Sequence, residues 1–561
     1  MAADLRAEIS KDAGETDVGA YDGPRPELMN ALRAAAASIV SAIVFFFPAT
    51  GAAPATGPVG AFNVRDYGAT GIKSDDARAS IQRAVDACAA AGGGTVYVPP
   101  GEYSTGTIHL RSRVRFHIEA GATVYSIKKK EAFDKEALFY GEDLFGVTLE
   151  GRGTVDGQGS YEYRPKGDFH DDFIYPNQVE MEKLGLPLIR SFPKTDQFGK
   201  LVLLLRCEDV RIAGLSFLDS PSWTMHLYGC RRIVIDGVFI RSSLKDGVWA
   251  DGIDPDGCRD LRIANSTIET GDDALVFYSM NWFGPALPCE NITVTNCRLS
   301  SASSAIKFCD GNMNAVRNVT IDNCVITKSN RGLAFMNFDG GIVENVVLSN
   351  LVIDCVRYDW FWWGDGEPFH FNIKKRSEVH RSLKPEDDRP AGVIRNVKIS
   401  NVIARGMGAS VCEGHPDSPL DGVTMENVRL AIAHDPSAPY DKAMDALTFR
   451  RARNVKLRDV EIVWDGPAYA KWKSALFLDD VEGVDLQGVS GRQAGSSDSE
   501  AVRLRDVRDA WVRNCRAAAG TGAFFGVSGP KSRDLLFTDN DTRGAKTALA
   551  AASDLPPGAI K

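Results

Sequence analysis

Residues 291–294 read Asn-Ile-Thr-Val, residues 318–321 read Asn-Val-Thr-Ile, and residues 345–348 read Asn-Val-Val-Leu. In each, two apolar residues flank one spacer and so share a face of a short extended segment, next to Asn, Asp or Gly residues that supply bends. The pattern extends outward to Asp209-Val210-Arg211-Ile212, Arg232-Ile233-Val234-Ile235, Asp260-Leu261-Arg262-Ile263, Asn396-Val397-Lys398-Ile399 and Asn454-Val455-Lys456-Leu457. From Val210 to Val346 the first apolar residue returns every 23 to 31 residues. A unit of that size, with two or three short strands, cannot bury its apolar face alone, so successive units must stack. The spacing predicts an all-β chain, a right-handed single-stranded parallel β-helix. A β-propeller would need units of about 40 residues and hairpin turns that are scarce here.

A solenoid needs its ends covered. Ser74 to Ala91 is the one strongly amphipathic helical stretch, with Ile81, Ala84, Val85 and Cys88 at helical spacing and Ser74 or Asp75 placed to cap it. It is expected to close the N-terminal end. Two intervals exceed one turn, from Val147 to Val210 and from Val346 to Val397, and the excess is expected as loop near Tyr161 to Lys200 and Tyr358 to Pro390. Long loops on a rigid scaffold commonly carry binding residues. Glu367, His370, Glu413 and His415 are candidates for loop contacts to a substrate.

Of 561 residues, 44% are hydrophobic and 25% charged, enough apolar side chain for a full core. Lys and Arg number 65 against 74 Asp and Glu, a net charge of −9 with no long basic run, which argues against a nucleic-acid partner. Arg33, an apolar run through Ile39, Val40, Ile43 and Val44 to Phe47, and small residues through Ala55 have the order of a secretory signal. The apolar stretch Ala34 to Pro48 is short of the roughly 20 residues that span a bilayer, so no stable membrane insertion is expected. The polar residues Met1 to Glu27 precede it, consistent with Met29 as the working start. The division expected is a leader over 1–55, with the signal at 29–55, and one β-helix domain over 56–561, monomeric and secreted or periplasmic. Eleven Cys include Cys297, Cys324 and Cys515 at equivalent repeat positions after Asn, which reads as packing rather than bridging.

Neither HExxH, a P-loop nor GxSxG occurs, and the acidic run Asp251 to Gly257 lacks the spacing of a calcium loop. What remains is Asp251 and the pair Asp272 and Asp273. Asp251 and Asp272 are separated by nearly one repeat, so their carboxylates are expected on neighbouring coils. Adjacent carboxylates shift one another's proton affinity and can divide acid and base roles, as glycosidic hydrolysis requires. The same residues are also ordinary turn residues, and spacing alone does not separate the two readings.

FNVRDYGATG at 62–71, GGGTVYVPPGEYSTGTIHLRSRV at 92–114, SPSWTMHLYGC at 220–230 and DGIDPDGCRDLRIANSTIETGDDAL at 251–275 together resemble glycoside hydrolase family 28, the polygalacturonase family, in the pectate-lyase-like β-helix superfamily. The resemblance implies an inverting hydrolase with Asp272 as general acid and Asp251 and Asp273 as bases, and no metal or other cofactor. Three departures stand out. Trp249-Ala250 replaces the Asn-Thr before the first Asp; Ser303 to Lys307 replaces the Gly-His-Gly; and Ala334 and Met336 occupy the places of the Arg-x-Lys that holds the galacturonate carboxylate. Without that cation pair, plain homogalacturonan is not the expected substrate.

Four residues are expected to contact a sugar: Lys307, outward between Ile306 and Phe308; His226, about one turn before Asp251; Trp249, an aromatic face; and Arg331. The expected function is cleavage of O-glycosidic bonds in a polysaccharide or oligosaccharide. A polysaccharide lyase using Lys307 as base and a non-catalytic carbohydrate-binding solenoid are the alternatives.

Overall fold

The apolar residues that mark the repeat lie directly over one another. Val147, Val210, Ile233, Leu261, Ile292, Val319, Val346 and Val397 are joined in one parallel register from coil to coil, and each is buried. The computed structural model describes residues 60–561 except 160–162, 166–190, 194–198, 246, 248, 359–363, 380–383, 385, 387, 437–443 and 496–497; for 163–165, 191–193 and Cys309 it describes the backbone alone. The leader and the boundary at residue 56 lie outside the described residues.

A full coil contributes three short strands. Arg231–Asp236, Phe239–Arg241 and Ile253–Asp256 form one coil, Arg259–Ala264, Thr267–Thr270 and Leu275–Ser279 the next, and Cys289–Thr295, Arg298–Ser301 and Ser304–Asn312 the one after. Stacked in parallel, they build three sheets, called here first, second and third in chain order, that meet at corners. The result is a right-handed parallel β-helix, with the hand that parallel crossovers take. One core runs through its axis from Val64 to Leu535. Inside the third sheet the rings of Phe277, Phe308, Phe335 and Phe371 follow one another at 5.3, 4.2 and 4.2 Å, so each coil packs on the last through dispersion as well as backbone hydrogen bonds.

The Asn residues of the repeat make the bends. Asn291, Asn318, Asn345 and Asn396 all take φ between 55° and 60°, a left-handed conformation that Asn tolerates better than most residues. Their amides also form a ladder: Asn318 Nδ2 donates to Asn291 Oδ1 at 3.2 Å, Asn345 to Asn318 at 3.2 Å and Asn396 to Asn345 at 2.7 Å. Cys297, Cys324 and Cys515 are buried free thiols, as packing predicts.

Two expectations need correction. The N-terminal helix is Arg78–Ala90, not Ser74 to Ala91, and neither Ser74 nor Asp75 caps it. Asp76 bridges to Ser104 of the first coil while its Oδ1 accepts from Arg78 N at 2.9 Å, which keeps the chain extended up to that point. The helix buries Ile81, Ala84, Val85 and Cys88 into the common core, and Gln82 both donates to and accepts from the His109 backbone. Second, the stretch expected as loop over Tyr358 to Pro390 contains a third-sheet strand, Glu367–Ile373, with Phe369, Phe371 and Ile373 in the core. Glu413 likewise ends a strand, Ser410–Glu413, rather than lying in a loop. Among the described residues no helix is long and apolar enough to cross a membrane.

Candidate active site

The corner between the second and third sheets gathers carboxylates from two successive coils. Gly252 N donates to Asp273 O at 2.9 Å, which sets Asp251 beside Asp273 across the coil boundary, and Asp272 adjoins them. Close approach of backbones makes this possible. A Cβ on Gly271 would meet Ser243 O at 2.2 Å and one on Gly252 would meet Ala274 O at 2.4 Å, so the glycines flanking these Asp residues are steric requirements.

Each carboxylate has a different setting. Asp272 Oδ2 accepts from Trp249 N at 3.1 Å and its Oδ1 from Asp273 N at 3.0 Å. Asp273 accepts from Ser303 Oγ at 2.7 Å, Ser304 N at 2.8 Å and Lys307 Nζ at 2.8 Å. Lys307 also lies 3.6 Å from Asp310. Asp251 is pushed well above the usual carboxylate range by burial first, then by the charge of Asp272, while Lys307 opposes the shift. Asp254, fully buried, is likewise pushed well up by burial, with the neighbouring Asp251 carboxyl pulling the other way. Two buried carboxyl groups side by side favour sharing one proton over both being charged.

Sequence reasoning missed Asp254 and Lys200. Lys200 opens the strand Lys200–Leu205. Burial pushes its ammonium down, while Glu136, Asp254 and Asp251 hold it up, so the cluster has Lys200 on one side and Lys307 on the other. Asp254 was within reach of the repeat, since it pairs in register with His226 on the preceding coil. Lys200 follows the long interval and carries no comparable signal. An aromatic wall adjoins the cluster: Trp223 stacks on Tyr278 at 5.2 Å, and Trp282 lies 5.0 Å from Trp223.

The four residues expected to meet a sugar fall in unlike places. Trp249 is 42% exposed, with φ of +65°, at the rim beside Asp272. Lys307 stands on the outward row of the third sheet, beside Val276 and Ala334 on the coils flanking it. His226 is fully buried against Trp223, Trp282 and Phe283, with Nε2 3.5 Å from Asp256; burial pushes its pKa down. Arg331 is buried, with Nε 2.8 Å from Glu367 Oε1. Its Nη1 reaches Met336 Sδ at 3.8 Å. His370 faces Glu367 at 3.5 Å, Glu413 pairs with Arg451, and His415 lies 3.4 Å from Glu378. Among the described residues no three His, Cys, Asp or Glu side chains are grouped to hold a metal ion.

The family model described as Glycosyl hydrolases family 28 matches residues 88–361, which include the whole cluster. Over those residues the chain matches glycosyl hydrolase family 28. A probable polygalacturonase of Vitis vinifera is 24% identical over 367 residues, covering 61% of this chain and 68% of that protein. An exopolygalacturonase of Platanus acerifolia is 26% identical over 244 residues, 42% of this chain and 56% of that one. Among solved structures, an exopolygalacturonase from Thermotoga maritima superposes with a TM-score of 0.55 at 22% identity, over 73% of this chain and 93% of its own, a likeness of fold. The chain is thus a glycosyl hydrolase, and its departures from the family motifs have physical form. Ser303 and Ser304 hold Asp273 where the family has Gly-His-Gly, and the apolar Ala334 and Met336 are buried.

The raised carboxyls of this family 28 site make stability pH-dependent. A carboxyl whose pKa is higher folded than unfolded contributes stability that is fully present below the ordinary carboxylate range and is lost as pH rises through the folded value. Asp254→Asn removes one such group and supplies an amide that can donate to Asp251. The variant is expected to exceed the wild type in stability by on the order of 1–3 kcal/mol at pH 8, with the gap closing towards pH 4. Chemical denaturation across that range measures it, and a gap independent of pH would exclude the shared proton.

Proposed function

We propose that the chain is a secreted hydrolase of pectin-like polysaccharides that inverts the anomeric centre, with Asp272 as general acid and Asp251 and Asp273 as the bases that activate water. One observation supports this most strongly: Asp272 and Asp273 on one coil and Asp251 on the preceding coil share a corner with Lys307 as counter-charge. Asp272 protonates the leaving glycosidic oxygen, and Asp273, which accepts from Lys307, Ser303 and Ser304, orients the attacking water. Asp251 joins as base once its proton has left, which couples turnover to the pH at which the pair with Asp254 ionises.

The relatives are named polygalacturonases, and a polymer containing uronate fits this reading. Plain homogalacturonan does not, because Ala334 and Met336 supply no cation where the family motif has its Arg-x-Lys. A neutral or esterified sugar at the cleavage position suits the site better, with Trp249 and Trp282, 42% and 46% exposed, as flat faces for pyranose rings. The secretory signal over 29–55, within the leader over 1–55, directs the enzyme out of the cytoplasm. Incubation with a panel of plain, esterified and branched pectic polymers tests the reading, with reducing ends, ultraviolet absorbance and the anomeric proton signal followed together. Release of inverted reducing ends from a substituted polymer, ahead of homogalacturonan, is expected. A single short product would indicate attack from a chain end; absorbing, unsaturated products would make the protein a lyase and overturn the proposal.

A further inference from the structure

We propose that a cavity of about 480 Å³ at the N-terminal end of the same corner binds a carboxylate-bearing sugar residue four coils from Asp272. This deepens the hydrolase reading and rests on it for the nature of the polymer. The cavity is lined by Lys73, Arg78, Ser126, Lys128, Lys129 and Gln158, among others, and its volume lies in the range of ordinary small-molecule sites.

Its position follows from the register. Ser126 ends the second-sheet strand Ala122–Ser126, and the chain after it forms the corner of that coil. Tyr125 pairs with Asp156, Asp156 with Leu218, Leu218 with Arg241 and Arg241 with Glu269, and Glu269 stands three residues before Asp272. Four strand spacings separate the two places, about 19 Å along the solenoid. Both lie where the chain leaves the second sheet, on one side of the solenoid, the direction in which a long polysaccharide would have to run to meet both.

The chemistry of the wall selects an anion. Lys73, Arg78, Lys128 and Lys129 outnumber the lining acids Asp76 and Glu131, in a chain whose net charge is −9. Asp156 lies near enough to feel Lys73 and Lys128, and the remaining cations leave the cavity basic. Arg78 is fixed by donation to Ala132 O at 2.9 Å, and Lys73 Nζ sits 3.6 Å over the Tyr125 ring. The decisive group is Ser126, a residue of the cavity wall that is 1% exposed and whose buried hydroxyl has no hydrogen-bond partner. Buried hydroxyls are rarely left so, and one set among ammonium groups is built to meet a ligand oxygen. Gln158, donating to Ser126 O at 2.7 Å, braces that strand end. A uronate supplies a carboxylate for the lysines and ring hydroxyls for Ser126. The arrangement assigns the enzyme a polymer whose uronate lies several sugars away from the bond that is cut.

Calorimetric titration of the full chain carrying Asp272→Asn with trigalacturonate, at low salt, tests the proposal. In the same background Lys73→Gln, Lys128→Gln and Lys129→Gln together are expected to remove one binding equivalent or raise its Kd at least tenfold, and Ser126→Ala alone to raise it about threefold. Neutral maltotriose is expected not to occupy this equivalent. An isotherm unchanged in both variants overturns the proposal, as does displacement by inorganic sulfate at matched ionic strength, which would mark a general anion site. Should the triple variant fold poorly by circular dichroism, Ser126→Ala decides alone. Binding here with no cleavage of any polymer would defeat the hydrolase reading and leave the site standing; cleavage with unchanged isotherms would do the reverse.

Discussion

Asp272→Asn is expected to leave the solenoid folded and to lower kcat by about 10²- to 10⁴-fold, the usual contribution of a general acid. The substitution preserves shape, and the amide oxygen can still accept from the backbone N–H of Trp249 or of Asp273. What disappears is the transferable proton. Affinity for the polymer, measured by calorimetry, is expected to stay within a few-fold of wild type, so the loss falls on turnover. A variant retaining more than a tenth of the wild-type rate would move the acid to Asp251, the carboxyl whose pKa burial and Asp272 raise.

Lys307→Met is expected to have the largest effect on stability. Lys307 Nζ lies 2.8 Å from Asp273 and 3.6 Å from Asp310, with its side chain only 13% exposed. Removing one partner of a buried ion pair leaves a charge without compensation and typically costs about 3–5 kcal/mol. Asp273 would keep Ser303 and Ser304 but lose its cation, and turnover should fall with stability. Adding Asp273→Asn to Lys307→Met removes the stranded charge and is expected to restore most of the lost thermal midpoint without restoring activity. A midpoint unmoved by Lys307→Met would show that the pair contributes nothing, and that Ser303 and Ser304 suffice to hold Asp273.

The ladder of buried markers was legible because period-two alternation, repeated at a near-constant interval, has few structural solutions. Val210 and Ile233 pair in register, as their spacing implies, and Asp251 and Asp273 meet for the same reason. Contacts that depend on corners of unequal length were not legible. Lys200 reaches Asp254 and Asp251 from beyond a long interval, and no periodicity extends across it. Glu367–Ile373 shows the alternation of Phe369, Phe371 and Ile373, but a 51-residue interval and its charged flanks concealed a strand that lies between two insertions. The helix began later than its caps suggested because Asp76 bridges to a strand distant in sequence. Arg331, expected to contact a sugar, is buried against Glu367, a pairing between coils that local pattern does not reveal.

The passage from the second to the third sheet is four residues, 271–274, in one coil, whereas in another the chain leaves the second sheet after Asp156 and enters the third at Lys200. Even so, the strands on either side of the longer one keep their partners, Val155 against Phe217 and Phe139 against Val202. Chain can therefore be added to or deleted from that edge without disturbing the stack that determines folding. The solenoid thus has one rail for tinkering and another for holding still: an enzyme of this build can revise its diet along the edge while the axis keeps its packing.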